Sequence, residues 1–110
     1  MWVPNAEDAR VDPEKLKAYL LSETHPVGRA KAKFFRSLGF DESNSAVLER
    51  GLIAIIKTQE IAETTASPYG SKYVVEGTIT TPSGTLVKLR TVWIVEQAQT
   101  IPRFVTAYPL

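Results

Sequence analysis

The sequence has no cysteine and only one histidine among its 110 residues. The missing thiols exclude disulfides, a thiolate zinc site and a cysteine nucleophile, and one histidine is too few to build a transition-metal cluster. We therefore expect no metal and no cofactor. The lack of cysteine also fits a reducing compartment.

Long apolar runs and a large charge imbalance are missing as well. No apolar run approaches the roughly 18 residues that a membrane-spanning helix needs. The first residues, Met1 to Asn5, lack the basic start and apolar stretch of a secretory signal, so we expect a cytoplasmic protein that binds no membrane. The net charge of +1 argues against a strongly basic, histone-like nucleic-acid binder, but it allows a local basic patch.

Length and composition favour one folded domain. Hydrophobic residues make up 44% and charged residues 23% of the chain, which is ordinary for a globular protein, and the chain is too short for two independent cores. We expect a single domain over 1–110. It would consist of an extended N-terminal arm over 1–11, a helical part over 12–57 and an antiparallel sheet over 60–109.

Three helices are predicted in the helical part. Asp12 followed by Pro13 is typical of a helix start, because an aspartate cap precedes a proline at the first helical position. A second helix is predicted over 27–38, with Gly39 as its C-terminal stop. A third helix is indicated by apolar residues at helical spacing, namely Val47, Leu48, Leu52, Ile55 and Ile56.

The pattern after residue 57 changes to that of strands. A short edge strand is predicted over 61–65, and a second strand carries alternating apolar residues with Gly77 as a possible bulge. A strong turn at 81–84 leads into a long third strand, and a final strand covers 103–108. Helices followed by such strands predict an α+β fold, with N-terminal helices packed on a C-terminal antiparallel sheet of three to four strands.

The second helix combines an apolar stripe with a basic face. On a wheel of about 100° per residue, the stripe expected in the core is formed by Val27, Ala30, Phe34 and Leu38. Lys31 falls inside this stripe, so it must extend to solvent, pair with a carboxylate or face a cleft. The opposite side is either a solvated face or a phosphate contact, and it carries Arg29, Lys33 and Arg36.

The last two predicted strands carry a second group of polar candidates. Lys88 and Arg90 share a half-apolar face of the long strand, which places them at an edge or over a cleft. Phe104, Thr106 and Tyr108 alternate on one predicted face of the last strand. Thr106 and Tyr108 are either ordinary strand residues or hydrogen-bond donors to an anion.

His25, the single histidine, lies in the loop that leads into the second helix. It is either a structural or exposed residue, or an acid or base that works near neutral pH. Together with lysine, arginine, threonine and tyrosine, it permits acid–base and electrostatic chemistry without a metal. That inventory suits RNA cleavage by attack of a 2′-hydroxyl on the adjacent phosphate, which needs a base, an acid and a cation.

Four separated segments resemble a family of small bacterial proteins classed as a domain of unknown function, and similar domains occur at the C-termini of larger bacterial toxins. The segments are HPVGRAKAKFF at 25–35, YGSKYVVEG at 69–77, RTVWIV at 90–95 and PRFVTAYP at 102–109. The resemblance covers nearly the whole chain. The order of elements, helices and then a sheet, is similar to the barnase/EndoU/colicin/RelE group of metal-independent ribonucleases.

The resemblance implies a toxin-like endoribonuclease, which can form one half of a toxin–antitoxin pair. By this resemblance, the acid–base pair would be His25 and Lys31. The residues that bind the scissile phosphate would be Arg90, Thr106 and Tyr108. The implied partners are RNA, either tRNA or mRNA, and a cognate antitoxin or immunity protein. The further RNA contacts would be Arg29, Lys33, Arg36 and Lys88. The near-neutral charge departs from the basic character of many RNA-cleaving toxins.

Two other functions stay open at this point. One is a non-catalytic protein-binding module that partners a small neighbouring protein, and the other is a small-molecule-binding domain with an anion-friendly pocket. A ribonuclease predicts that His25, Lys31 and the strand cations converge in one cleft. A binding module predicts that these residues are satisfied separately and that an apolar or edge-strand surface is exposed.

Overall fold

The computed structural model describes residues 1–22 and 29–110 and has a helical part followed by one sheet. The helices are α1 (Pro13–Lys15), which continues as a π-helical turn over Leu16–Leu20, α2 (Arg29–Ser37) and α3 (Ser45–Thr58). The strands are β1 (Ile61–Ser67), β2 (Gly70–Thr80), β3 (Leu86–Glu96) and β4 (Arg103–Pro109). They form an antiparallel sheet in the order β1-β2-β3-β4, so the predicted α+β fold is confirmed.

The helices begin and end close to where the sequence places them. The Asp12 carboxylate accepts a hydrogen bond of 2.9 Å from the backbone N–H of Glu14 and thereby caps α1. Gly39 follows α2 with a φ of 96°, a left-handed conformation that favours glycine. No helix within residues 1–22 or 29–110 is long and apolar enough to cross a membrane.

Helix α2 presents a different face to the core from the one predicted. Ala32 and Phe35 are fully buried, because the Phe35 ring packs edge-to-face against Phe34 at 5.0 Å and against Phe40 at 6.4 Å. The predicted stripe is only partly correct: Phe34 and Leu38 are half-buried and pack against the core, Ala30 is exposed, and Val27 lies outside the described residues. This rotation leaves Lys31 half-buried at the margin of the core face.

Helix α3 covers one face of the sheet, which carries the buried β3 residues Leu89, Thr91 and Trp93. The register of β2 with β3 is uninterrupted along both strands, so the predicted bulge at Gly77 is wrong. Glycine is needed there for a different reason: an added Cβ would lie 2.9 Å from Ile55 Cγ1. The missing side chain lets α3 approach the sheet closely.

A bulge does occur on β4, where it separates two sets of side chains. The register shifts so that Trp93 faces Phe104 while the preceding residue of β3 faces Thr106. Phe104 is buried, and its ring packs edge-to-face on Trp93 at 5.4 Å. The prediction that Phe104 shares a face with Thr106 and Tyr108 is therefore wrong, because the extra residue turns Phe104 into the core.

The N-terminal residues are packed rather than simply extended. Val3, Ala6 and Val11 are buried in the same core as Trp93, and a short 3-10 helix covers Ala6–Asp8. The segment that the sequence predicts as an arm thus contributes apolar area to the domain.

Candidate functional site

The candidate site is built around a hydrogen bond between α2 and β4. Lys31 Nζ donates to Thr106 Oγ1 at 2.8 Å, and the two residues are 75 positions apart in sequence. The same ammonium group lies 5.8 Å from the centroid of the Tyr108 ring, within the range of a cation–π contact. Lys31, Thr106 and Tyr108 are all half-buried. The Lys31 ammonium group and the Thr106 hydroxyl therefore meet on β4 near the Tyr108 ring.

The alternation of the sheet adds Arg90 to this group. Arg90 of β3 pairs directly with Tyr108, and Val92 pairs with Thr106. Successive side chains of a strand point to opposite faces, so these four side chains lie on the sheet face away from α3. We call this the far face of the sheet. The Lys31 ammonium group reaches Thr106 from α2.

Arg90 is held by two carboxylates. Its Nη1 lies 2.9 Å from Glu76 Oε2, and its Nη2 is paired with Glu63 of β1. The hydrogen bond to Glu63 is the main reason that the pKa of the Arg90 guanidinium lies above its ordinary value, and Tyr108 and Glu76 act in the same direction. An anion that approaches Arg90 therefore competes with two negative side chains.

The chemistry of this group is that of an anion site. A lysine ammonium and an arginine guanidinium can only donate hydrogen bonds, and the two hydroxyls can donate as well. Donor groups of this kind can bind a tetrahedral anion and stabilise negative charge that develops on it. Glu63 and Glu76 balance the charge of Arg90 in this group.

Comparison with known proteins places the chain in a family. Residues 2–110 match a family described as "Domain of unknown function (DUF6883)". The chain belongs to the DUF6883 family. No curated protein matches it.

One solved structure shares the fold of this DUF6883 domain. It is described as a contact-dependent growth inhibition toxin–immunity protein complex from Klebsiella pneumoniae 342. One of its chains superposes with a TM-score of 0.71 at 23% sequence identity, over 96% of both chains. At this identity the likeness concerns the fold, which is a helical part followed by the sheet that carries Thr106 and Tyr108.

Four of the five residues predicted as catalytic thus come together in the DUF6883 domain: Lys31, Arg90, Thr106 and Tyr108. The fifth, His25, lies outside the described residues. Lys31 contacts Thr106 and the Tyr108 ring, and Arg90 lies opposite Tyr108; the catalytic roles of these residues stay predictions.

The predicted RNA contacts are more scattered. Lys88 is exposed on β3, two residues from Arg90 and on the same far face. Lys33 is exposed on α2, and the backbone of Arg29 begins that helix. Arg36 donates hydrogen bonds of 2.9 and 2.7 Å to the Leu21 carbonyl and pairs with Glu42. The Arg36 guanidinium thus connects α2 to the end of the preceding helix.

Sequence reasoning missed the two glutamates. Glu76 lies directly opposite Arg90 in the β2–β3 hairpin, and counting outward from the turn at 81–84 is a signal that could have found it. Glu63 belongs to β1, whose register with β2 shifts between residues 61 and 63. Because the contact between Glu63 and Arg90 depends on that shift, no local sequence pattern predicts it.

Proposed function

We propose that this chain is a toxin-like, metal-independent endoribonuclease that cleaves RNA by attack of a 2′-hydroxyl on the adjacent phosphate. The observation that carries the proposal is the hydrogen bond of 2.8 Å from Lys31 Nζ to Thr106 Oγ1, with the Tyr108 ring beside it. Lys31 is thus in contact with Thr106 and with the Tyr108 ring, although these residues are far apart in the sequence. The fold shared with a chain of a toxin–immunity complex supports the toxin-like part.

The proposed reaction assigns a task to each group. The 2′-oxygen bonds to phosphorus and gives its proton to a base, while the bond to the 5′-oxygen breaks and that oxygen takes up a proton. The products are a 2′,3′-cyclic phosphate and a 5′-hydroxyl. Lys31 stabilises the pentavalent intermediate and protonates the leaving oxygen, and Thr106 and Tyr108 donate hydrogen bonds to the phosphate oxygens. His25 stays the predicted base.

Arg90 contributes as a positioned cation. A guanidinium has five N–H donors in a fixed plane, and Glu63 and Glu76 hold that plane opposite Tyr108. In the proposal, its remaining donors face the phosphate on the far face. The carboxylates fix its direction and lower the net positive charge of the site.

The proposed partners follow from this activity. The substrate is RNA, either tRNA or mRNA, and cleavage takes place in the cytoplasm. A protein that cleaves RNA in the cell that makes it requires a cognate antitoxin or immunity protein. The description of the structurally similar complex names a toxin and an immunity protein, and we extend that arrangement to this chain as part of the proposal.

The proposal is tested by cleavage of a labelled RNA with purified protein in the presence of EDTA. Lys31→Gln removes the ammonium group and should lower the cleavage rate by about 10²–10⁴-fold, the usual contribution of a positioned acid or base. Thr106→Val should also lower the rate, because it removes the hydroxyl and keeps the shape. Lys57→Gln is the matched control, because Lys57 is an exposed cation at the end of α3, and its rate should be unchanged.

Three results would contradict the proposal. One is equal cleavage by the wild type and Lys31→Gln, and another is loss of all cleavage on addition of EDTA. The third is a product with a linear 3′-phosphate and no cyclic intermediate at early times. Circular dichroism of each variant excludes a loss of folding as the cause of a lower rate.

One observation favours the alternative of a non-catalytic protein-binding module. Strand β1 is an edge strand in which residues 62–66 are all exposed, and such an edge can pair with a strand of another protein. This alternative predicts that wild type and Lys31→Gln behave identically in cells. It also predicts that Thr64→Lys, a charged substitution on this edge, abolishes binding to a co-expressed neighbouring protein.

A further inference from the structure

Two arginines lie side by side at one end of the sheet. Arg10 joins the edge of β4 through a parallel bridge to Arg103. Its N–H donates to the Pro102 carbonyl at 2.9 Å, and its carbonyl accepts from the N–H of Phe104 at 2.9 Å. Residues paired in this way point their side chains to the same side. The two side chains line one open groove with Glu96, Gln99 and Ile101.

The charges in this groove are not balanced. Arg103 is paired with Glu96 across the β3–β4 loop, and both side chains are substantially exposed, at 60% and 41%. Arg10 is exposed, and no carboxylate within the described ranges 1–22 and 29–110 pairs with it. Like charges directly opposite each other destabilise a strand pair. Two adjacent arginines, of which only Arg103 is paired with a glutamate, form a site with room for an anion.

The groove lies on the same face as the candidate catalytic group. Arg103 pairs with Ile94, and Thr106 pairs with Val92, which is two positions away on β3. All four side chains therefore point to the far face of the sheet. Three residues of extended chain span about 10 Å, which separates the groove from the Lys31–Thr106 contact by a short distance along β4.

We propose that Arg10 and Arg103 form a second phosphate subsite, which binds a phosphate of the RNA strand adjacent to the one held beside Lys31. This inference rests on the proposed function for the identity of the ligand. Arginine is suited to the task, because its planar fork donates two parallel hydrogen bonds to phosphate oxygens. Glu96 competes with the phosphate for Arg103 and thereby weakens the binding of isolated anions.

The test measures binding separately from cleavage. A fluorescent single-stranded RNA with 2′-O-methyl groups, which cannot be cleaved by 2′-hydroxyl attack, is titrated with each variant at several salt concentrations. Each phosphate contact with a single strand contributes about 0.7 to the slope of log K against log salt, or about fourfold in affinity near ~0.15 M salt. The variant Arg10→Gln/Arg103→Gln should lose at least one such contact.

A matched control and an opposite substitution make the result specific. Arg50→Gln/Lys57→Gln also removes two cations, from an exposed groove on α3 on the other side of the sheet, and should leave the salt slope unchanged. Glu96→Gln removes the competing carboxylate and should tighten RNA binding. A gain in affinity is the opposite of what damage to the binding surface would produce, so this variant tests the subsite even if the double variant is unstable.

The outcomes distinguish this inference from the proposed function. If the wild type cleaves ordinary RNA but the double variant binds like its control, the subsite is refuted and the ribonuclease stands. If nothing is cleaved but the double variant loses RNA binding and Glu96→Gln gains it, the subsite stands and the ribonuclease fails. Loss of binding to a co-expressed immunity protein, with unchanged RNA binding, would assign the groove to a protein and overturn the inference.

Discussion

The close approach of α3 to the sheet gives a quantitative prediction for Gly77→Ala. The added methyl group would lie 2.9 Å from Cγ1 and 3.0 Å from Cγ2 of Ile55, whereas carbon atoms in favourable contact are about 3.5–4.0 Å apart. The helix or the sheet must therefore move by about 0.5–1 Å. Overpacking of this kind costs about 1–3 kcal/mol.

An opposing effect reduces this cost. Alanine loses less conformational entropy than glycine on folding, which favours the variant by about 0.5–1 kcal/mol. We expect a net loss of about 1–2 kcal/mol in the free energy of unfolding. For a domain of this size the Tm should fall by roughly 5 °C for each kcal/mol. Urea denaturation and thermal melts followed by circular dichroism measure both quantities.

A double-mutant cycle with Ile55→Ala isolates the contact. Ile55→Ala removes both γ carbons and alone should cost about 2–5 kcal/mol, because it leaves a cavity. In that background Gly77→Ala should be neutral or stabilising, since the new methyl group enters the vacated space. Gly84→Ala is the contrast: its φ of 89° makes the substitution strained although no atom lies within 4 Å, so its cost should not depend on Ile55. An equal cost of Gly77→Ala in both backgrounds would refute the reasoning.

Two further predictions concern stability. The buried Thr91 hydroxyl donates to the Val75 carbonyl at 2.6 Å and accepts from the indole N–H of Trp93 at 2.8 Å. Thr91→Val removes both hydrogen bonds and should lower the free energy of unfolding, measured by urea denaturation, by about 1–3 kcal/mol. Thr91→Ser keeps the hydroxyl and should lower it clearly less. The pKa of the Glu42 carboxylate lies below its ordinary value of 4.5. The main cause is a hydrogen bond from its own backbone N–H, and the hydrogen bond from Arg36 adds to it. The ionised Glu42 side chain therefore stabilises the fold above pH 4.5, and this stabilisation is lost as the pH falls through the lowered pKa. The free energies of unfolding of the wild type and Glu42→Gln should differ near pH 7 and converge in acid.

Much of the fold is encoded locally, and the sequence predicts that part well. Asp12 before Pro13 fixes the start of α1, and the turn at 81–84 fixes the β2–β3 hairpin. The alternation along β3 places Lys88 and Arg90 together on one face, because successive side chains of a strand point to opposite faces. These signals involve residues that are close in sequence, and each has one favourable structural solution.

The incorrect predictions involve contacts between distant residues. The rotation of α2 depends on Phe35 meeting Phe40, and a wheel that starts at Val27 contains no information about that meeting. The β4 bulge depends on Phe104 packing against Trp93. The bridge between Arg10 and Arg103 joins the two ends of the chain, and no periodicity connects them. The candidate site shows the same division: its residue types are visible in the sequence, but the contact between Arg90 and Glu63 depends on a register shift in β1 that is not.

The paired carboxylates also reconcile a net charge of +1 with the proposed recognition of RNA. Arg90 is paired with Glu63 and Glu76, and Arg103 is paired with Glu96, so a lone phosphate ion must compete with a carboxylate for either of these two arginines. A strand that reaches both the Lys31 contact and the Arg10 groove makes its second contact intramolecularly, at a high effective concentration. Inorganic phosphate should therefore compete weakly with RNA, and an oligonucleotide long enough to span both places should bind more tightly than a dinucleotide by more than the ratio of their charges.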